Sequence, residues 1–291
     1  MISLKPIQRI EFVTPDLFFK SFKQTETPVV IEKLTQSWPA HQKWTFHYLK
    51  QLLGDNIVPL YNSQPSVDRK HQYAPAETMP LKNYLELLEQ GENNLRLFFY
   101  NLLAEAPELC QDFSYPDIGL SFFKRLPVLF IGGKGAKVQM HFDIDLADIL
   151  LCHFGGKKKV MLFSPEQTPL MYKVPFSFSS LFDINYEQPN YHQYPGLKYL
   201  HGQVTELNHG DVLYIPPGWW HYIAYKEIGF SMALRALPRQ PKHVLKALRN
   251  LIWTKMVEGM MRRVIGQRWN DRNEQLAVKK TNRYLHLQNL R

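Results

Sequence analysis

Cysteine is nearly absent from this chain: Cys110 and Cys152 are the only two in 291 residues. That is too few for a disulfide framework or a four-cysteine zinc site, and both are expected as buried thiols. Long apolar runs are missing as well. No stretch approaches 18 uncharged apolar residues, and residues 1–6 lack a basic segment followed by an apolar one, so neither a membrane span nor a leader is expected and a cytoplasmic location is. Acidic residues are scarce at one end only. Residues 239–291 hold 13 Lys/Arg against 3 Asp/Glu, which leaves 22 against 23 in the first 238 and accounts for the net charge of +9. The larger part is therefore nearly neutral. A basic helical tail ordinarily shows its charges to water opposite its packing stripe, and with no aromatic stacking motif beside it nucleic-acid contact is the weaker expectation. What is abundant is apolar: 45% hydrophobic and 13% aromatic residues exclude a disordered chain and suffice for one large core with a helical appendage.

Helices and strands alternate in the first part. Thr14 caps a helix with Pro15 in its first position, and Thr45 caps another that ends at Gly54. Residues 28–31, 57–61 and 95–102 read as strands, and residues 81–88 as a helix. From Leu126 onward strands dominate, separated by Gly- and Pro-bearing turns. Residues 148–153 and 157–163 are expected to pair as a hairpin across Gly155-Gly156. Residues 168–202, rich in Pro, Tyr and Asn, form a long insertion expected to overhang the mouth of the core. After Pro241 a helix carries Val244, Leu248, Ile252, Met256, Met260 and Val264 every four residues, and a second helix spans about 271–290. The divisions are thus 1–125, a flanking region; 126–238, an all-β core; and 239–291, helical.

Chemistry concentrates in two stretches, Val138-Gln139-Met140-His141-Phe142-Asp143 and Gly210 to His221. In an extended strand His141 and Asp143 project to one face and Met140 and Phe142 to the other. An imidazole and a carboxylate side by side need a third donor, which His221 on a facing strand would supply, completing a two-histidine, one-carboxylate triad. About 0.4 His-x-Asp triplets are expected by chance in this composition, so the pattern alone decides little. A second copy, His209-Gly210-Asp211, has Gly at its centre and precedes an apolar run, which suits a turn entering a strand.

Three blocks in order, H-F-D, then Gly155 to Gln167 (G-G-K-K-K-V-M-L-F-S-P-E-Q), then Gly210 to His221 (G-D-V-L-Y-I-P-P-G-W-W-H), resemble the JmjC/cupin-8 oxygenases, in particular their asparaginyl-hydroxylase branch. The resemblance extends to the P-V-V-I strand and the W-P-A and K-W-T segments near the N-terminus. It implies a mainly β chain, a double-stranded β-helix (jelly roll) with flanking α/β elements and C-terminal helices. It also implies Fe(II) held by His141, Asp143 and His221, with 2-oxoglutarate and O2 as cosubstrates, and a C-terminal helix pair that makes a homodimer.

A buried dicarboxylate needs a cation at its far end. The family lysine falls on Lys158, which shares a strand face with Val160 and Leu162, while Lys157 and Lys159 point outward. Arg235, beside Ser231 and Ala233, is the rival, either as a clamp for that carboxylate or as the partner of an acid in the barrel. Trp219 and Trp220 are expected to brace His221. The sequence departs from the family at Val138, where a hydroxyl is usual, and at Phe98, the nearest match to a family tyrosine, for which Tyr100 on the same face is the substitute. The segment from His141 to the expected hairpin is also one or two residues longer than is usual in the family. The reading is a 2-oxoglutarate-dependent hydroxylase. A metal-binding cupin without turnover and an RNA-modifying enzyme are the alternatives, and the substrate is open among protein, RNA and small molecule.

Overall fold

A computed structural model describes residues 1–63, 74–91 and 93–289. The first strands are β1 (Ser3–Pro6), β2 (Arg9–Ile10), β3 (Val29–Ile31), β4 (Ile57–Asn62), β5 (Glu77–Pro80) and β6 (Leu95–Asn101). The second half adds β7 (Val128–Gly132), β8 (Lys137–His141), β9 (Asp148–Phe154) and β10 (Lys158–Phe163). It ends with β11 (His201–Leu207), β12 (Val212–Ile215), β13 (Trp220–Tyr225) and β14 (Gly229–Ala236). They form two sheets, ordered β1-β11-β10-β13-β8 and β2-β3-β12-β9-β14-β7-β6-β4-β5. Facing one another, these sheets make a jelly roll whose lumen is filled by Val160, Leu162, Ile223 and Tyr225 from the smaller sheet and by Leu151, Leu213 and Ala233 from the larger.

The flanking helices are α1 (Pro15–Phe18), α2 (Pro39–Lys43), α3 (Phe46–Leu53), α4 (Leu81–Glu89) and α5 (Leu102–Glu105). Thr14 accepts from the amide of Leu17 and Thr45 from that of Tyr48, so both expected caps form. These helices cover the outer face of the larger sheet, where Phe18, Trp44, Tyr84, Phe154 and Tyr214 are buried. The N-terminal region is woven into the barrel rather than laid beside it: β1 pairs with β11, and β3 with β12.

The expected hairpin at Gly155-Gly156 does not form. Strand β9 pairs with β12 and β14 in the larger sheet, whereas β10 pairs with β11 and β13 in the smaller. The glycines make the corner between sheets. Both have positive φ, and a Cβ on Gly156 would lie 2.0 Å from the carbonyl oxygen of Ile228. The insertion also sits elsewhere than expected. Tyr172, Tyr186 and Tyr194 pack on the outer face of the smaller sheet with Met140, Phe142 and Trp220, sharing that apolar cover with Ala277 and Leu285 of the C-terminal region. The segment around Ser179 bridges His141 at the end of β8.

At the C-terminus α6 (Pro241–Leu248) and α7 (Lys255–Ile265) are joined by a π-helical turn, Arg249–Thr254, and α8 (Gln267–Leu287) follows. The last expected helical residue, Leu290, lies outside the described residues. Trp269, Ala277 and Leu285 of α8 are buried, whereas Leu248, Ile252, Met256, Met260 and Val264 are all exposed. Cys152 is a buried thiol, but Cys110 is exposed on the turn Pro107–Gln111. Among the described residues no helix is long and apolar enough to cross a membrane.

Candidate metal centre

His141 ends β8, and His221 is the second residue of β13; the two pair directly across the ladder. A bulge follows, in which Val138 to His141 of β8 oppose Ile223 to His221 of β13. The extra residue turns Val138 to the lumen side together with His141. Met140 and Phe142 face the outer core, as alternation requires.

His141 Nδ1 lies 2.8 Å from the carbonyl of Gln139, and His221 Nδ1 3.1 Å from that of Trp219. A carbonyl only accepts, so each Nδ1 carries the proton and each Nε2 presents its lone pair. Both Nε2 atoms approach Asp143 Oδ1, at 3.5 and 3.7 Å, and the ligand atoms of the three residues all lie within 4.8 Å of one another. The other oxygen, Oδ2, accepts from Arg235 Nη1 at 2.7 Å. Burial alone would raise the Asp143 carboxyl, but Arg235 first, and then the two imidazoles, hold it well below the usual carboxylate range. Burial, with His141 adding to it, lowers His221 to about 4. Two neutral imidazoles and one ionised carboxylate aimed at one point suit a divalent first-row metal and leave coordination positions open.

Lys158 and Arg235 fare differently. The Arg235 guanidinium is shared between Asp143 and Asp145, with Nη2 2.6 Å from Asp145 Oδ1, so both its faces are taken by carboxylates of the chain itself. Lys158 is buried in the lumen opposite Tyr225; its Nζ lies 3.3 Å from Tyr225 Oη and 4.4 Å from the ring centre. Among the described residues it has no carboxylate partner. Burial lowers it to about 7. Strand pairing sets Leu162 beside His221 and Lys158 beside Tyr225, four residues or about 13 Å down the lumen from the metal ligands. The lysine arm and a short diacid can divide that span.

Tyr100 does not face the lumen. Leu97 pairs with Ile131 and Tyr100 with Leu129, so a residue is inserted at Phe98–Phe99, and Phe99 has φ 56°. The inserted residue reverses the alternation. Tyr100 is consequently buried in the outer core, its hydroxyl accepting from Asn56 Nδ2 at 2.9 Å. Phe98 and Phe99 are left half exposed, with Phe99 5.8 Å from the Arg235 guanidinium. Trp219 holds His221 through its backbone carbonyl. Trp220 points the other way, into the outer core, where it packs on Phe142 at 4.9 Å and donates to Thr168 Oγ1 at 3.0 Å. His209 serves a turn: Nδ1 accepts from the amide of Gly155, and Nε2 donates to the carbonyl of His41. Sequence reading passed over Tyr225 and Asp145, although both stand at even spacing from a ligand, four after His221 and two after Asp143.

A double-stranded β-helix with two histidines and an aspartate converging at one end of its lumen defines the cupin class of metal-binding barrels. A family model described as a cupin-like domain matches residues 15–236, and the chain belongs to that family. It is similar to Jumonji C domain-containing protein 5 of Drosophila melanogaster, 27% identical over 254 residues, covering 79% of this chain and 62% of the relative. Lysine-specific demethylase 8 of Xenopus tropicalis is 26% identical over 221 residues, 72% of this chain and 47% of the relative. Human tRNA wybutosine-synthesizing protein 5 is 27% identical over 255 residues, 78% and 76%. The chain thus spans about half to three-fifths of the length of the first two relatives. These matches do not single out the asparaginyl-hydroxylase branch.

Proposed function

We propose that this chain is an Fe(II)- and 2-oxoglutarate-dependent oxygenase that hydroxylates a biomolecule. The observation that carries the reading is one lumen holding two unlike halves. At one end three donors converge within 4.8 Å, and further in a buried lysine has no carboxylate partner among the described residues. His141, Asp143 and His221 would hold the metal, and Lys158 with the Tyr225 hydroxyl would receive the distal carboxylate of 2-oxoglutarate. When bound, the iron supplies the means to couple O2-dependent decarboxylation of 2-oxoglutarate to succinate with oxygen insertion into a substrate C–H bond. The protein's own part is placement. Backbone carbonyls fix both rings, Arg235 holds Asp143 so that Oδ1 faces the centre, and the apolar lumen side chains keep water from the cosubstrate. Relatives named as a demethylase and as a tRNA-modifying protein support oxidative chemistry on a large substrate.

Anaerobic addition of Fe(II) and then 2-oxoglutarate should give the charge-transfer absorption of a chelated keto acid, and turnover in air should release succinate. Charge-transfer absorption without succinate release, uncoupled or with substrate, would favour a metal-binding cupin without turnover, a second reading motivated by the apolar Val138 on the lumen wall. We further infer that two copies pair through α6, α7 and the π-helical turn between them, where Leu248, Ile252, Met256, Met260 and Val264 are otherwise left in water.

A further inference from the structure

A second cavity, of about 340 Å³, opens against the outer side of the metal-bearing strands. Phe142 forms part of its wall, and the residues on either side of Phe142 are the ligands His141 and Asp143. Gly218, three residues before His221, forms another part. The end of α6 and the π-helical turn Arg249–Thr254 close it, anchored by Asn250, whose Nδ2 donates to the carbonyl of Ile144 at 3.1 Å. Into this space come Lys173, Lys246 and Arg249. Lys173 Nζ and Lys246 Nζ both stand over the Phe142 ring, at 5.9 and 6.0 Å.

None of the three cations has a carboxylate partner among the described residues. Besides the Phe142 ring, Lys173 donates to the carbonyl of Val174, at 3.3 Å. The acids nearby are already paired: Glu26 with His243 at 2.8 Å and Lys242 at 3.2 Å, and Glu258 with Arg262. The cations repel one another instead. Burial first, and then Lys280, Lys246 and Arg249, lower Lys173 to about 8. Glu26 attracts Lys246 but makes no ion pair with it among the described residues, and like charges gathered without a direct counter-charge raise the free energy of the unliganded protein, which an anion relieves. The same cavity presents ring faces, with Phe176 and Trp253 exposed at its edge. An acidic peptide would use the cations alone, whereas a nucleotide uses both, its phosphate on the cations and its base on a ring.

We propose that this cavity binds a nucleotide unit of nucleic acid or a free nucleotide, with its phosphate between Lys173, Lys246 and Arg249 and its base against Trp253 or Phe176. The site stands on these groups alone and does not depend on iron or on the oxygenase reading. The test therefore uses the full chain free of metal, with a fluorescein-labelled single-stranded RNA decamer followed by anisotropy across a range of salt. Lys246→Glu with Arg249→Glu should weaken binding at least tenfold and reduce the salt slope by about 1.4. Trp253→Ala should weaken it roughly fivefold or more. Arg272→Glu with Arg283→Glu, the same change of charge on exposed α8 positions that do not line the cavity, should change it little. Competition by AMP as strong as by unlabelled RNA assigns the site to a free nucleotide, and competition by RNA alone assigns it to a strand. Equal loss in both glutamate pairs, no loss in Trp253→Ala, or competition by polyglutamate as strong as by RNA would overturn the proposal.

Discussion

The buried lysine makes the cosubstrate's affinity a function of pH. Lys158 sits at about 7 in the free protein because burial penalises its charge, whereas a bound carboxylate would restore the charged form. The sign follows directly: between about 7 and the ordinary lysine value the complex holds a proton that the free protein lacks, so affinity falls as pH rises. Protonated Lys158 makes up about half of the free protein at pH 7 and roughly a hundredth at pH 9, so the apparent affinity for 2-oxoglutarate should drop roughly fiftyfold between them. Calorimetry of 2-oxoglutarate binding to the anaerobic Fe(II) protein, run in buffers of different ionisation enthalpy, should also record proton uptake above pH 7. Lys158→Ala removes a charge-assisted hydrogen bond of about 1.5–3 kcal/mol, or roughly ten- to a hundredfold in affinity, and with it the pH dependence. Tyr225→Phe should keep the pH dependence and lose a smaller part of the affinity, and Lys157→Ala should change neither. A wild-type affinity that is level from pH 7 to 9 and equal to that of Lys158→Ala would refute the assignment.

His141→Ala, Asp143→Ala and His221→Ala should each abolish stoichiometric Fe(II) binding measured by equilibrium dialysis, while His209→Ala, at a turn, should not. Arg235→Gln leaves two partly buried carboxylates facing each other and should cost the metal-free protein roughly 1.5–3 kcal/mol in a urea melt, with much of the loss recovered when Fe(II) is added; an equal loss with and without metal would contradict this. Leu248→Glu with Ile252→Glu should convert dimers to monomers in light scattering, since each side chain withdrawn from water is worth about 0.8 kcal/mol per methylene. A wild type that is monomeric at micromolar concentration would end that idea.

The convergence of His141, Asp143 and His221 was legible because their placement depends on local rules. His141 and Asp143 are two apart in an extended segment, and the Pro216-Pro217-Gly218 turn delivers His221 at the start of a strand. The hairpin at Gly155-Gly156 was misread for an equally physical reason. Two apolar runs joined by glycines look the same whether the chain folds back beside itself or turns the corner to the facing sheet, and only the partners β12, β13 and β14 decide. Tyr100 was lost to a single inserted residue. No glycine or proline marks the bulge at Phe98–Phe99, yet it moves the tyrosine to the other side of the sheet. The inward direction of Lys158 survived the hairpin error because alternation along β10 is independent of which strands flank it.

Charge within the lumen gives a last, independent constraint on the cosubstrate. Asp143 and Asp145 carry two negative charges against the single positive charge of Arg235, so this cluster is one negative charge over. Fe(II) would bring it to one positive charge, and protonated Lys158 and Arg96, which lies beside Tyr225, add further positive charge deeper in. A buried site that far from neutrality is costly, and a dianion offsets more of the excess than a monoanion does. Pyruvate offers the same keto acid to the metal but nothing to Lys158, so it should fail to displace 2-oxoglutarate from the anaerobic Fe(II) protein at concentrations where a second dianionic keto acid, oxaloacetate, competes. In Lys158→Ala the advantage of oxaloacetate over pyruvate should shrink by roughly tenfold or more, because the carboxylate that distinguished them has lost its partner. Discrimination that persists unchanged in Lys158→Ala would mean that another cation, with Arg235 the first to examine, reads the distal carboxylate.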